Sequence, residues 1–229
     1  MATTVTHRSL DGGTVSITSD LDLDQAFSSV ITVRSGSMLR EFTAGPRDAA
    51  AANAESLGVK DFEEEYWFQS GRLRLGTTTQ HDPVSRVASP LCVAIWEGNG
   101  FSLFTHMYHA KPKELLAATA GMSIAEHADG VTLEPGHGNE IADACVLKEL
   151  PVVGLLDIAP ATRQAVRELP AWSGKGVGGG ELFTDEHRSQ RIFLLAGSSA
   201  ITRVIPHPGF DEKGALSALA SLVVSWQAG

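Results

Sequence analysis

Three groups of residues carry types that could do chemistry. The first is a stretch rich in histidine and carboxylate: Glu126, His127, Asp129, Glu134, His137, Glu140 and Asp143. Zinc takes His and carboxylate ligands in sets of three or four. None of these spacings matches a helical HExxH or a paired-ligand knuckle. The stretch therefore reads as an acidic surface loop, with His127, His137 and Glu140 as its metal-ligand candidates. His106 and His109 lie three apart on one strand, so their side chains point to opposite faces and do not share a metal.

The second group is Gly174-x-Gly176-x-x-Gly179 with Lys175 inside it. A dinucleotide fingerprint needs a strand before it and a helix after it, so that the pyrophosphate meets a helix N-terminus. Here Pro170 precedes, and a short strand candidate, Glu181-Leu182-Phe183, follows. Lys175 is followed by Gly176 rather than Ser or Thr, which excludes a phosphate loop. Residues 173–180 are expected to form a mobile loop in which Lys175 meets an anion.

The third group is aromatic. Tyr66-Trp67-Phe68 puts rings on both faces of one strand, Trp96 precedes a turn, and Trp172 borders the glycine run. Trp and Tyr dominate interface hot spots. Trp172, Lys175, Trp96 and Tyr66 are the expected ligand- or partner-binding residues.

Nucleophilic catalysis finds no support. There is no GxSxG elbow. Cys92 sits among apolar strand residues with no activating cation beside it and reads as inert. Cys145 is similarly placed, and the two read as reduced thiols. His81-Asp82-Pro83 falls in a loop, and Glu63-Glu64-Glu65 reads as a solvated strand start. No catalytic residues and no cofactor are assigned.

The elements that must position these residues are hairpins and short helices. Val30–Arg34 and Met38–Thr43 flank Ser35-Gly36-Ser37, and a helix over Ala49–Leu57 follows, closed by Gly58. Leu91–Trp96 and Phe101–Tyr108 flank Glu97-Gly98-Asn99-Gly100, with both glycines expected at positive φ. Pro112 opens a helix ending at Gly121. Shifting the first hairpin by 62 positions superposes Ile31 on Val93, Val33 on Ile95, Gly36 on Gly98, Phe42 on Phe104 and Thr43 on Thr105.

Further hairpins are Glu64–Thr77, Cys145–Ile158 and Ile192–Ile205. A C-terminal helix starting at Asp211 carries Ala215, Leu216, Ala218, Leu219, Leu222, Val223 and Trp226 on one face. Residues 121–139 read as a linker. Nine or ten strands and four or five helices make an α+β fold. Its antiparallel sheet is built of hairpin-then-helix units, with the helices on one side and the C-terminal helix covering the sheet. It is one domain over 1–229, or two pseudo-related halves, about 1–122 and 140–229.

Composition bounds the function. The 229 residues carry 18 Lys+Arg against 27 Asp+Glu, a net charge of −9, with 43% hydrophobic and 20% charged residues. The chain is too apolar for disorder. It is too acidic to bind nucleic acid by phosphate neutralisation, and no apolar run approaches the ~20 residues that span a bilayer. Met1–Leu10 lacks the apolar core of a signal peptide, which predicts a cytoplasmic protein. The Ala- and Gly-rich, Lys-poor usage suits a bacterium.

The expected function is a non-catalytic interaction module: an adaptor, chaperone or inhibitor of a protein partner. The uneven charge, acidic at Glu63–Glu65 and Glu126–Asp143 and basic at Arg188, Arg191 and Arg203, fits a basic or mixed-charge partner. The alternatives are a small-molecule- or metal-binding protein or enzyme with a cleft near residues 173–180, and a homo-oligomeric structural protein.

Overall fold

Alternation of buried and exposed positions dominates the chain and folds it mainly into strands. The computed structural model describes residues 2–81, 84, 86–187, 190–210 and 212–229. In chain order the elements begin with β1 (Thr3–Arg8), β2 (Thr14–Ser19), β3 (Phe27–Ser35), β4 (Met38–Pro46), α1 (Ala49–Ser56), β5 (Glu64–Phe68), β6 (Gly71–His81), β7 (Ala88–Glu97), β8 (Phe101–Tyr108) and α2 (Pro112–Ala120). They continue with β9 (Ser123–His127), β10 (Gly130–Glu134), β11 (Asn139–Leu150), β12 (Gly154–Pro160), α3 (Arg163–Arg167) and β13 (Lys175–Val177). The last are β14 (Gly180–His187), β15 (Gln190–Ala196), β16 (Ala200–Pro206), α4 (Glu212–Ser221) and β17 (Val223–Gln227). The fold is α+β and mainly antiparallel sheet.

The chain divides into two compact units. The first holds Leu10–Gly12 and Ser28–Ala144; the second holds Met1–Ser9, Gly13–Phe27 and Cys145–Gly229.

In the first unit, six antiparallel strands run in the order β3-β4-β8-β7-β6-β5. β7 is buried on both faces over Leu91–Trp96. Leu91, Val93 and Ile95 pack with Phe104 and with Ala50 and Ala54 of α1. Cys92, Ala94 and Trp96 face the other way, where α2 packs on β6 and β7. Register confirms the sides, because Phe42 pairs with Thr105 and Thr105 with Ala94. The helices of this unit thus lie on both faces of the sheet, not one. A strand with apolar residues at odd and even positions alike needs cover on both sides. In α2 the Glu114 carboxylate accepts the Lys111 N–H at 2.8 Å, closing its first turn.

The second unit, which takes β11 from Cys145 onward, orders its strands β11-β12-β16-β15-β14-β13, with a separate sheet β17-β2-β1. The C-terminal helix is shorter than its apolar periodicity predicts. It ends at Ser221, and Val223–Gln227 pairs with β2 instead. Val224 and Trp226 are buried while Val223, Ser225 and Gln227 are not, a period of two that a strand satisfies. The expected helix start, Asp211, lies outside the described residues, as does Arg188.

The expected mobile loop at 173–180 is also a strand hairpin. β13 pairs Lys175 with Leu182 and Val177 with Gly180. Gly179 and Gly180 serve close approach. A Cβ on Gly179 would collide with the Leu222 carbonyl, and one on Gly180 with the Ala196 carbonyl. The expected linker at 121–139 contains the β9–β10 hairpin, whose Ile124, Val131 and Leu133 are buried.

Lys148 is 1% exposed in the second unit. Its ammonium donates to the Gln25 carbonyl and lies 4.1 Å from the centre of the Phe27 ring. Phe27 in turn stacks on His7 at 4.8 Å. Burial lowers the Lys148 pKa, against the opposing pull of Asp22 and Asp24. One buried cation thus fastens the segment between β2 and β3. Lys148→Ala should destabilise the protein by about 2–4 kcal/mol in urea unfolding, from cavity formation plus an orphaned carbonyl. Lys148→Met, which keeps the volume, should lose clearly less; equal losses would show that packing is not what Lys148 supplies.

Candidate functional site

Strand pairing in the first unit breaks off between two inner strands, β4 and β8. β4 and β8 pair from Pro46↔Phe101 to Phe42↔Thr105 and no further. β4 nevertheless stays paired with β3 out to Met38↔Ser35, and β8 with β7 out to Tyr108↔Leu91. Met38–Glu41 and His106–Tyr108 therefore line a notch with backbone edges that no ladder satisfies. The Thr105 hydroxyl donates to the Glu41 carbonyl at 2.6 Å and pins the apex. The notch encloses about 440 Å³. Its rim is apolar and open: Met38 is 55%, Leu39 63% and Tyr108 50% exposed.

Alternation sorts the side chains. Leu39 and Glu41 turn to the α1 face with His106 and Tyr108, whose rings meet edge-on at 5.6 Å. Met38 and Arg40 turn to the α2 face and line a second cleft of about 170 Å³ with Val33, Ala117, Met122 and Asn139. Arg40 belongs to the walls of both clefts. Its Nε is buried and has no hydrogen-bond partner. Burial lowers its pKa from the usual arginine value. A desolvated guanidinium with an unused N–H is a donor site for a carboxylate. Nearby, Arg34 is already paired with Glu140 at 2.9 Å.

The residues singled out in the sequence lie elsewhere. Trp96 is 1% exposed and donates its indole N–H to the Phe68 carbonyl at 3.1 Å, so it is a core residue. Tyr66, 40% exposed on the edge strand β5, donates to Glu64 at 2.5 Å. Both belong to the first unit. Trp172 and Lys175 are exposed in the second. The four therefore do not meet within either unit.

The metal candidates are likewise apart. The His127 ring shares a hydrogen bond of 3.1 Å with Thr132 across the β9–β10 hairpin. His137 is exposed in a turn, and Glu140 is the partner of Arg34. Among the described residues, no three His, Cys, Asp or Glu side chains gather around a metal-sized centre. Asp82 and Pro83, which follow His81, lie outside the described residues. Burial, with Glu63 and Glu64 adding to it, pushes the Cys92 thiol up to about 11, so it stays protonated and unreactive.

Glu126 has a structural task that its acidic neighbourhood conceals. Its carboxylate accepts the backbone N–H groups of Asn99, Gly100 and Phe101 at 2.8, 2.6 and 3.1 Å. The β7–β8 turn is a small anion nest filled by β9. Burial alone would raise the Glu126 pKa; the three donors outweigh it and hold the value below normal. Neither Gly98 nor Gly100 adopts positive φ, contrary to expectation. Gly98 is needed for space instead: a Cβ there would stand 2.6 Å from Glu126 Oε2 and 2.7 Å from Trp96.

The notch itself left no trace in the sequence beyond two large apolar residues, Met38 and Leu39, next to a turn glycine. Comparison of the chain with protein families, with curated proteins and with solved structures finds no match.

A depressed carboxyl pKa stabilises the fold above its unfolded value, near 4.5, and that contribution disappears as pH falls through the folded value. Urea midpoints should therefore drop on acidification from about pH 5 to pH 3. Glu126→Gln should be ~1 kcal/mol less stable at neutral pH and show a shallower drop; an unchanged pH slope would refute the nest. In the same turn, Gly98→Ala should cost about 1–3 kcal/mol. Gly100→Ala, with its nearest neighbour at 3.6 Å, should be close to neutral in thermal melts.

Proposed function

We propose that this protein is a non-catalytic interaction module that captures an extended segment of a polypeptide partner by strand addition in the notch between β4 and β8. One observation carries the reading: two backbone edges, Met38–Glu41 and His106–Tyr108, face each other unpaired while their outer edges remain in ladders. An added strand supplies the missing hydrogen bonds whatever its sequence, and the rim side chains Met38, Leu39 and Tyr108 select among sequences. An adaptor, a chaperone or an inhibitor works in this way. A cytoplasmic setting is in keeping with two cysteines that are not joined in a disulfide.

We read the two units as products of a duplication, each assembled from hairpin-then-helix pieces. The strand order β3-β4-β8-β7-β6-β5 becomes β11-β12-β16-β15-β14-β13 when every number rises by eight. The second-unit counterpart of the open pair is β12–β16, which pairs continuously from Gly154↔Pro206 to Pro160↔Ala200. Strand addition is thus a property of one copy alone. Self-association is a second reading, favoured by the edge strand β5, on which Trp67 is 81% exposed.

Peptides selected from a random display library provide the test. Bound peptide should slow hydrogen exchange at notch-facing amides within Met38–Glu41 and His106–Tyr108. Leu39→Asp and Tyr108→Asp should each weaken binding at least tenfold at unchanged Tm. Selected peptides that leave those amides unprotected would sink strand addition.

A further inference from the structure

The notch is blind at one end. The Phe42↔Thr105 pair and the bond from the Thr105 hydroxyl to the Glu41 carbonyl close its apex. A chain that enters from the open end has no passage beyond. It either stops there or turns back out of the sheet. Arg40 stands one residue short of Glu41, lines both the notch and the cleft on its α2 side, and keeps a buried N–H without an acceptor.

Resting on the strand-addition reading, we propose that the notch receives the C-terminal tail of a partner polypeptide, with the terminal α-carboxylate on Arg40 and the last side chain in the cleft beneath it.

Direction follows from charge. β4 runs from the open end towards the apex and β8 away from it. A tail ending at the apex runs parallel to β4 and antiparallel to β8. The opposite orientation would bring an α-ammonium to a guanidinium, a like-charge encounter. Glu41, the nearest carboxylate in sequence, alternates to the other face of the sheet. Length follows from the open ladder. Beyond the bond from Thr105 to Glu41, Met38–Arg40 of β4 and His106–Tyr108 of β8 lie outside the β4–β8 ladder, so the tail contributes roughly three residues at about 3.3 Å each. The final side chain is apolar and of modest size, because Val33, Met38, Ala117 and Met122 wall a cleft of about 170 Å³. The chain as a whole is acidic at −9. Its attraction to a mixed-charge partner is therefore general, whereas Arg40 recognises the one group that every C-terminus carries.

The test uses the full chain and a library of random heptapeptides displayed with a free C-terminus. The tightest peptide is made as the free acid, as the C-terminal amide, and with two residues added after its last position. Fluorescence anisotropy on the wild-type protein should show the amide at least tenfold weaker and the extended peptide without measurable binding. Arg40→Gln should weaken the acid by the same factor and leave the amide unchanged; Arg40→Lys should recover part of the loss. Melting curves check that both variants are folded, and the acid-to-amide ratio on wild type needs no variant at all.

Equal affinity of acid and amide, or tolerance of the extension, overturns the C-terminal proposal. If the notch amides are still protected in that case, strand addition survives it. An affinity that follows an internal Asp or Glu of the peptide also overturns it. Binding that leaves the notch amides unprotected, or a library without binders, overturns the proposal and the strand-addition reading together.

Discussion

A strand inside a sheet has two edges of N–H and C=O groups to satisfy, and over Met38–Glu41 β4 satisfies only the one that faces β3. Almost everything else in the first unit follows from meeting that demand. Apolar runs such as Leu91–Trp96 are covered by α1 on one side and α2 on the other. Both edges of β7 are paired, with β6 and with β8. The place where the demand goes unmet is also where Arg40 lacks an acceptor and where Met38, Leu39 and Tyr108 stand in solvent. Three independent shortfalls of polar or apolar satisfaction coincide, and their coincidence is what supports the proposal of strand addition at the notch.

Much of the architecture was legible because its signals are local. Gly36 and Gly58 lie at positive φ beside the elements they end, and Pro112 begins α2. The misreadings share a cause of another kind. Val224 and Trp226 suit a helical face and a strand face equally, and only the distant β2 decides between them. Glycines at 174–180 resemble a loop because the sequence does not display the Leu222 and Ala196 carbonyls that crowd them. The notch was illegible for the same reason. Nothing in residues 38–41 or 106–108 says that two strands sixty residues apart in sequence part company after Phe42 and Thr105.

The acidic character was legible as a total but not in its use. Glu97 is 10% exposed at its side chain and is clamped by Arg72 and Arg74. Burial opposes its ionisation, and the two guanidiniums overcome that. Glu126 fills a turn, Glu140 holds Arg34, and Asp157 meets Arg203 at 3.4 Å. Two carboxylates of the stretch that looked like a ligand field, Glu126 and Glu140, are thus engaged within the scaffold. The side chain with unspent capacity in the notch region is a cation, Arg40.

The pairing of β2 with β17 has a bearing on how the protein comes into being. Ile17 meets Val224 and Val15 meets Trp226, contacts between segments far apart in the sequence. Such distant partners carry a heavy loop-closure entropy and form late. The strands of the first unit, by contrast, are mostly hairpin neighbours whose partners emerge within moments of each other. The notch-bearing unit can thus take shape on a growing chain while the second unit is still waiting for β17. Over that interval the open edges of β4 and β8 would already be available, to a partner or to a neighbouring nascent chain.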